Sequence, residues 1–278
     1  MADNIVLSAD SVCTGYGKEN PVLKDVSFEI KQGEMVGIIG CNGAGKSTLL
    51  KTLRGILTPL SGKIYVNGRP SSELTDREFA CQVAYLQQTM EVSFDYSARE
   101  LVMAGRYPRL HWWEQEGQRD KAIADACMEY TGIKELADKP VSDMSGGQRQ
   151  RVLLAKILAQ QTPVLFLDEP ATGLDIFYQE EIYRFCRELC QAGKTVLMVV
   201  HELSLAARFC SRLLIIGEGK ILADGKPREI MNEANMSRAY RVPVRVIENP
   251  LTETMDFFTE PCQSDNRRRL ALQMIIEG

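Results

Sequence analysis

The sequence predicts an α/β fold with a mixed sheet, an N-terminal antiparallel β region and an inserted helical subdomain. Short apolar runs separated by Gly, Asn and Pro open the chain, as expected for antiparallel strands. Residues 164–167 and 195–200 are continuously apolar, which is typical of parallel strands covered on both faces. A stretch of helical character, from about residue 89 to 159, separates the two groups of strands. An insertion of helices into an α/β core explains this order of patterns.

The first part of the chain is predicted as strands around one helix. That helix runs to about Arg54 and ends at Gly55, with Pro59 beyond it, because glycine and proline commonly terminate helices. The predicted strands lie at residues 5–7, 22–23, 26–30, 35–39, 61–68 and 83–86.

The helical insertion and the second α/β half follow. Helices are predicted at 97–104, 118–131 and 133–137, and then at 149–159, 176–191 and 203–210. Strands are predicted at 164–167 and 195–200, with a hairpin formed by 213–216 and 220–223. The last residues are predicted as two strands, 244–247 and 255–258, and a helix, 267–276.

Length and composition indicate an ordinary globular protein of one or two domains. The 278 residues are 45% hydrophobic and 25% charged. A net charge of −4 with one basic block, residues 267–269, argues against nucleic acid as a partner. No apolar run reaches membrane-spanning length and no signal peptide is evident, so we expect a cytosolic chain that docks onto any membrane partner. The eight scattered cysteines are interpreted as reduced thiols.

The strongest motif is a phosphate-binding loop between the strand at 35–39 and the helix that follows. Its pattern, G-x-x-x-x-G-K-[ST], needs glycines so that backbone N–H groups curl around phosphate oxygens, and the helix N-terminus adds partial positive charge. Lys46 is expected to reach the β- and γ-phosphates, and the Ser47 hydroxyl to hold Mg²⁺. The loop consists of Gly40, Cys41, Asn42, Gly43, Ala44, Gly45, Lys46, Ser47 and Thr48.

Three polar residues follow the two continuously apolar strands. Asp168 and Glu169 end the first strand, and His201 ends the second. Ligands of parallel α/β sheets bind at the carboxyl ends of strands, so these side chains are expected beside the phosphate loop. Asp168 would complete the Mg²⁺ site, Glu169 would be the general base for an attacking water, and His201 would fix the γ-phosphate and that water.

A second anion site is predicted where the helix at 149–159 begins. Ser145, Gly146, Gly147 and Gln148 offer small side chains and exposed N–H groups at a helix start. A chain with one phosphate loop has no evident need for a second site, so this segment is expected to bind the γ-phosphate of ATP held by another copy. The alternative is a plain helix cap.

In combination these motifs resemble the ATP-binding subunits of ABC transporters, which have a P-loop NTPase core. The resemblance rests on the phosphate loop, residues 144–151, the strand at 164–169, residues 171–175 and His201, and it covers about residues 5–240. It implies that Ser145 and Gly147 contact the opposite subunit's nucleotide in a homodimer and that Asp175 joins the two sites. It also implies that Tyr16 stacks on adenine and that Gln88 senses Mg²⁺, takes part in catalysis and links to membrane subunits.

A narrower resemblance concerns the importer branch for iron-siderophore complexes, haem and vitamin B12. Residues 98–108 and 201–212 are similar to that branch. The resemblance implies two integral membrane permease subunits, an indirectly coupled extracytoplasmic binding protein, and a location at the cytoplasmic face of the cell membrane. A permease helix would lodge beside residues 88–110, where Trp112 and Trp113 are either exposed contacts or packed within the insertion.

Other ATPase classes carry the same phosphate loop. A cytosolic ATPase of iron–sulfur cluster assembly shares every motif and stays open as an alternative. A DNA-repair ATPase is disfavoured because only 98 residues separate Lys46 from Ser145, with no coiled-coil heptads between them. A translation-type ATPase would carry two such cassettes. We expect an ATPase domain over residues 1–240, with 89–159 as its helical subdomain, and a C-terminal extension over 241–278.

Overall fold

The computed structural model describes residues 4–17, 20–87, 96–111, 113–250, 254–259 and 274–276. Gln88, Trp112, the arginines at 267–269 and most of the helix predicted at 267–276 lie outside these ranges; residues 274–276 are helical. The described strands are β1 Ile5–Thr14, β2 Leu23–Lys31, β3 Met35–Ile39, β4 Ser61–Val66, β5 Arg69–Pro70, β6 Val83–Leu86, β7 Val164–Asp168, β8 Thr195–Val199, β9 Arg212–Gly217, β10 Lys220–Gly225, β11 Val244–Asn249 and β12 Thr254–Thr259.

Helices alternate with these strands and fill the segment between β6 and β7. The α-helices are α1 Lys46–Leu53, α2 Asp76–Gln82, α3 Ala98–Met103, α4 Gln118–Tyr130, α5 Gly146–Ala159, α6 Ile176–Gln191, α7 Leu203–Phe209, α8 Pro227–Ile230 and α9 Glu233–Tyr240. Short 3₁₀ helices lie at Ser71–Glu73, Ala104–Arg109, Lys134–Leu136 and Val141–Asp143. No helix within the described ranges is long and apolar enough to cross a bilayer.

The strands form a mixed sheet, an antiparallel sheet and a small hairpin. The mixed sheet has the order β10-β9-β3-β8-β7-β6, and its neighbours are parallel except for the β9–β10 hairpin. The antiparallel sheet, β2-β1-β4-β5, comes from the N-terminal part of the chain, and β11 pairs with β12. The predicted α/β class with a mixed sheet and an N-terminal antiparallel region is therefore confirmed.

The mixed sheet is buried on both faces, which explains its uninterrupted apolar strands. Along β3, Met35 and Ile39 belong to the core shared with the helices, whereas Val36 and Ile38 face a second core shared with the antiparallel sheet. This alternation follows from the two-residue period of a strand. Each fully buried aliphatic side chain contributes about 1.5–3 kcal/mol. The sheet is therefore a rigid base for the loops at its carboxyl edge.

Three α-helices were not predicted from the sequence: α2, the four-residue α8, and α9. Helix α2 starts with a capping box in which Thr75 accepts the Glu78 N–H and Glu78 accepts the Thr75 N–H, the T-x-x-E signal of a helix start. Helix α9 starts at Asn232, whose side chain accepts the Asn235 N–H. Helices α2 and α9 are short, with seven and eight residues, so neither shows a strong helical period.

Candidate functional site

The phosphate loop joins β3 to α1 through glycines in left-handed or otherwise strained backbone. Gly40 has φ 151°, and a Cβ built there would lie 2.3 Å from the carbonyl oxygen of Ile216. Gly45 has φ 100° at the start of α1, where a Cβ would lie 2.7 Å from Val22 Cγ1. Only glycine fits at these two positions, because both the dihedral angle and the neighbouring atoms exclude a side chain. The loop therefore exposes its backbone N–H groups at the helix N-terminus.

Lys46 is folded back over this loop. Its Nζ donates to the carbonyl oxygens of Gly40, at 2.8 Å, and Cys41, at 3.1 Å. The side chain is only 5% exposed. Burial lowers the pKa of Lys46, while the nearby charge of Glu169 opposes that shift. A buried cation of this kind gains from an anionic partner, and a phosphate group supplies one.

Asp168 and Ser47 present two oxygen ligands side by side. Ser47 Oγ donates to Asp168 Oδ1 at 2.8 Å, and the Tyr85 hydroxyl donates to the other oxygen, Oδ2, at 3.3 Å. Burial raises the pKa of Asp168, whereas these two hydrogen bonds act in the opposite direction. A hydroxyl and a carboxylate at the edge of a phosphate site are ligands that suit Mg²⁺, so the residues present fit that ion.

Glu169 and His201 meet at the mouth of the site. His201 Nε2 lies 2.6 Å from Glu169 Oε1, and the Thr172 hydroxyl donates to Oε2 at 3.1 Å. Glu169 has φ 53°, a left-handed conformation that costs a non-glycine residue of the order of 1 kcal/mol. Both oxygens of its carboxylate are thus oriented by neighbours, which is the arrangement that a positioned general base requires.

A cavity of ≈ 660 Å³ connects these groups. It extends from the phosphate loop past Glu169 and His201 to Tyr16, whose ring is 70% exposed at the rim. Of the predicted loop, Asn42, Gly43, Gly45, Lys46, Ser47 and Thr48 line the cavity. Gly40, Cys41 and Ala44 lie behind it, where the first two contact Lys46 through their carbonyl groups. A nucleotide with its base on Tyr16 and its phosphates at Lys46 suits this shape and charge.

The predicted second anion site does not line the cavity within one chain. Ser145 Oγ accepts the Gln148 N–H at 3.3 Å, and Gln148 Oε1 accepts the Ser145 N–H at 3.1 Å. These residues therefore form a helix cap, which was the predicted alternative to an anion site. A Cβ at Gly146 would meet nothing within 4 Å, so the helix start is also open. Asp175 caps α6 by accepting the Tyr178 N–H, and it too lies outside the cavity.

Two predicted contacts with other subunits stay predictions. Gln88 lies outside the described residues. Trp113 is 64% exposed and also stacks on His111, with 4.7 Å between ring centroids, so both the exposure and the packing that were predicted as alternatives occur at this residue.

The structure adds residues that the sequence analysis missed. Tyr85, Thr172 and Glu202 orient or line the site, and Glu202 also accepts hydrogen bonds from α6. A sequence signal existed for Tyr85, because a phenol in an otherwise apolar strand usually directs its hydroxyl to a polar partner. Thr172 lies three residues after Glu169, and Glu202 lies directly after His201. Because Glu169 and His201 each follow the end of a strand, these short distances along the chain also indicate a position near the site.

Comparison with known proteins gives consistent matches. A family model described as ABC transporter matches residues 23–172. The hemin import ATP-binding protein HmuV of Rhodococcus jostii is 38% identical over 89% of this chain and 84% of that protein. The ferric enterobactin transport ATP-binding protein FepC of Escherichia coli is 37% identical, over 89% and 92%. An inward-facing metal-chelate type ABC transporter has a chain of the same fold, with TM-score 0.82 and 24% identity over 93% of this chain and 98% of that one.

Proposed function

The chain belongs to the ABC transporter family, and from that premise we propose that it is the ATP-hydrolysing subunit of an importer for an iron-siderophore complex or haem. Relatives that import hemin and ferric enterobactin support this cargo class. A vitamin B12 importer is the neighbouring possibility, since a cobalamin import protein is 37% identical over 83% of the chain. The cargo itself never touches this subunit.

ATP hydrolysis is the activity of this family, and in this proposal each of its steps is carried out by a named group of this chain. The loop N–H groups and Lys46 bind and orient the phosphates. Ser47 and Asp168 would hold Mg²⁺, which supplies charge neutralisation at the phosphoryl oxygens. Glu169 accepts the proton of the attacking water, and His201 keeps the Glu169 carboxylate in place. The single observation that carries this proposal is the Glu169–His201 pair opening onto the same cavity as Lys46.

A second copy of the chain completes the site in this proposal. Ser145 and Gly147 lie outside the chain's own cavity, at a helix start where Gly146 faces open space, so their N–H groups would bind the nucleotide of a partner copy. Asp175 would join the two sites, and Gln88 would link them to the permease subunits. The ATPase domain would span residues 1–240, and the dimer would sit at the cytoplasmic face of the membrane beneath two permease subunits.

Affinity purification from detergent-solubilised membranes tests the transport role. We expect the tagged chain to co-purify with an integral membrane permease, and vesicles containing the complex to accumulate labelled ferric siderophore or hemin when ATP is supplied on the side of this subunit. The matched control is the complex carrying Glu169→Gln. Co-purification with soluble iron–sulfur scaffold proteins alone would overturn the importer in favour of the cluster-assembly alternative.

A further inference from the structure

The starts of helices α5 and α6 meet at the ring of Tyr178. A Cβ built on Gly147 of α5 would lie 3.7 Å from Cδ2, 3.8 Å from Cε2 and 3.9 Å from Cγ of that ring, which is ordinary van der Waals contact. On the α6 side, the backbone N–H of Tyr178 donates to Asp175 Oδ1 at 3.1 Å. The ring is half-buried between the two helices. One residue therefore contacts both Gly147 and Asp175.

Arg151 holds this ring from the same face of α5. Its guanidinium carbon lies 4.7 Å from the centre of the Tyr178 ring, and its Nη2 donates to Glu181 Oε2 of α6 at 2.7 Å. Gly147 and Arg151 are four residues apart on α5, and Tyr178 and Glu181 are three residues apart on α6, so each pair shares a helix face. A guanidinium is attracted to the electron-rich face of an aromatic ring. The two helix faces are thus joined by an ion pair and a cation–π contact.

This cluster lies apart from the nucleotide cavity of its own chain. Tyr178, Arg151 and Glu181 do not line that cavity, so none of them is placed to contact ATP held by the same chain. In the proposed dimer, Gly147 would bind the nucleotide of the partner copy and Asp175 would join the two sites. The Tyr178 ring sets the distance between these two elements.

We propose that Tyr178 is a positioning residue that fixes the start of α5 relative to Asp175, so that both elements meet a second copy of the chain in one arrangement. The inference rests on the proposed dimer with its composite nucleotide sites. Without the ring, the start of α5 has to be ordered when the dimer forms, and that ordering costs conformational entropy. Loss of the ring therefore weakens the ATP-bound dimer and leaves ATP binding to a single chain intact.

Tyr178→Ala tests this inference, because it removes the ring and keeps the backbone N–H that donates to Asp175. Tyr178→Phe keeps the ring against Gly147 and Arg151 and should restore the behaviour of the parent. Tyr178→Leu keeps an apolar side chain without an aromatic face, and it takes the place of the alanine variant if that variant does not fold.

The matched control is Tyr130→Ala. The Tyr130 ring packs on Phe185 of α6, with 4.9 Å between ring centroids, so this change removes an aromatic contact with the same helix away from the start of α5. All variants are made in a parent chain that carries Glu169→Gln, which is expected to retain ATP. The measurements are the dissociation constant of the dimer by analytical ultracentrifugation with Mg-ATP, the Kd of a fluorescent ATP analogue for dilute single chains, and the melting temperature without nucleotide.

We expect Tyr178→Ala to raise the dissociation constant of the dimer about tenfold or more, because a two-fold dimer loses the contact at both of its nucleotide sites. Tyr178→Leu should change it in the same direction. The Kd of the ATP analogue for single chains should stay at the parent value. Tyr178→Phe and Tyr130→Ala should dimerise as the parent does.

An unchanged dissociation constant in Tyr178→Ala would overturn the inference. Equal weakening in Tyr178→Phe would also overturn it, because that variant retains the ring. If Tyr130→Ala weakens the dimer as much and lowers the melting temperature equally, Tyr178 only stabilises α6 and the inference is wrong. A parent chain that forms no dimer with Mg-ATP would instead remove the proposed composite site, and this inference with it.

Discussion

His201 Nε2 lies 2.6 Å from Glu169 Oε1, so residues that leave two neighbouring parallel strands form one pair. Strands β7 and β8 are in register with Asp168 opposite Val199, which brings the residues after each strand end together. The pair occupies the mouth of the nucleotide cavity, and this close contact, together with the hydrogen bond from Thr172, holds the carboxylate in one orientation. In this arrangement His201 acts through Glu169, which gives the histidine a positioning role as well as the predicted phosphate contact.

Replacing Glu169 by glutamine should abolish turnover while ATP still binds. The amide keeps the size of the side chain but cannot accept a proton, so we expect kcat to fall about 10²- to 10⁴-fold. Phosphate release measures turnover, and size-exclusion chromatography should detect an ATP-bound dimer. Adding His201→Ala to this variant should lower kcat little further, because both residues serve one step. Wild-type turnover in Glu169→Gln would remove Glu169 from the base role.

Ser47→Ala should abolish the Mg²⁺ dependence of nucleotide binding. In the wild type we expect Mg²⁺ to strengthen ATP binding, since Ser47 and Asp168 offer it two oxygen ligands 2.8 Å apart. In the variant, titration with an ATP analogue should give the same Kd with and without Mg²⁺. In the wild type, the Kd should be lower when Mg²⁺ is present. Ser204→Ala is a suitable control, because Ser204 is exposed on α7 and donates to Asp256 outside the cavity. A variant that retains the full Mg²⁺ effect would contradict Ser47 as a ligand.

Mixing two inactive variants should restore activity. Lys46→Ala disables a chain's own phosphate loop, and Ser145→Arg blocks the helix start that a partner's nucleotide would use. A mixed dimer then holds one intact composite site, so random pairing should recover about a quarter of wild-type ATPase activity. Each variant assayed alone is the control. If the mixture has no more ATPase activity than the two variants have when assayed separately, the phosphate loop and the helix start at Ser145 act within one chain.

The buried pair of Arg106 and Asp120 should stabilise the helical region. Arg106 Nε donates to Asp120 Oδ1 at 2.9 Å, with side chains only 6% and 12% exposed. We expect Asp120→Asn to lower the free energy of unfolding by about 2 kcal/mol at pH 7, as for other hydrogen bonds to charged groups. Urea denaturation measures this difference. Glu129→Gln, in an exposed pair with Lys134, should change stability little.

The effect of Asp120 should also depend on pH in a defined direction. The Arg106 hydrogen bond lowers the pKa of Asp120 below its ordinary value in the unfolded chain, about 3.9. Its stabilisation is therefore complete above that value and is lost as the pH falls through the lower folded pKa. The difference between wild type and Asp120→Asn should be constant near neutral pH and shrink below about pH 4. A difference that grows on acidification would contradict the assigned sign.

Local sequence patterns predicted most of the elements and most of the residues that line the cavity at the phosphate loop. The phosphate loop and Asp168 could be predicted because each comes at the end of an apolar strand, where the sequence changes to polar residues. The pairing of Glu169 with His201 depends on strand order. Nothing in the 32 residues between β7 and His201 indicates that β7 and β8 are neighbours in the sheet. The sequence left two roles open for residues 145–148, because the N–H groups at a helix start can bind either a capping side chain or an anion.

The contact of Tyr85 with Asp168 could not be predicted from the sequence. The two residues are 83 positions apart, and the contact depends on β6 pairing with β7, which the apolar pattern of either strand does not encode. Helix α2 was a different kind of miss, because its T-x-x-E start is a recognisable local signal. Long-range contacts are thus the part of the site that requires a structure.

The position of β3 in the sheet has a consequence for biosynthesis. This strand is fully buried between β8 and β9, yet it leaves the ribosome long before them. At the usual rate of 5–20 residues per second, the roughly 180 residues up to the end of β9 take about 10–40 s to follow. During that interval the nascent chain carries an apolar strand with two unpaired edges, which is a template for aggregation. A lower growth temperature or a holding chaperone should therefore raise the yield of native protein. The phosphate loop acquires its final shape only when translation has passed β9, because the Ile216 carbonyl packs against Gly40.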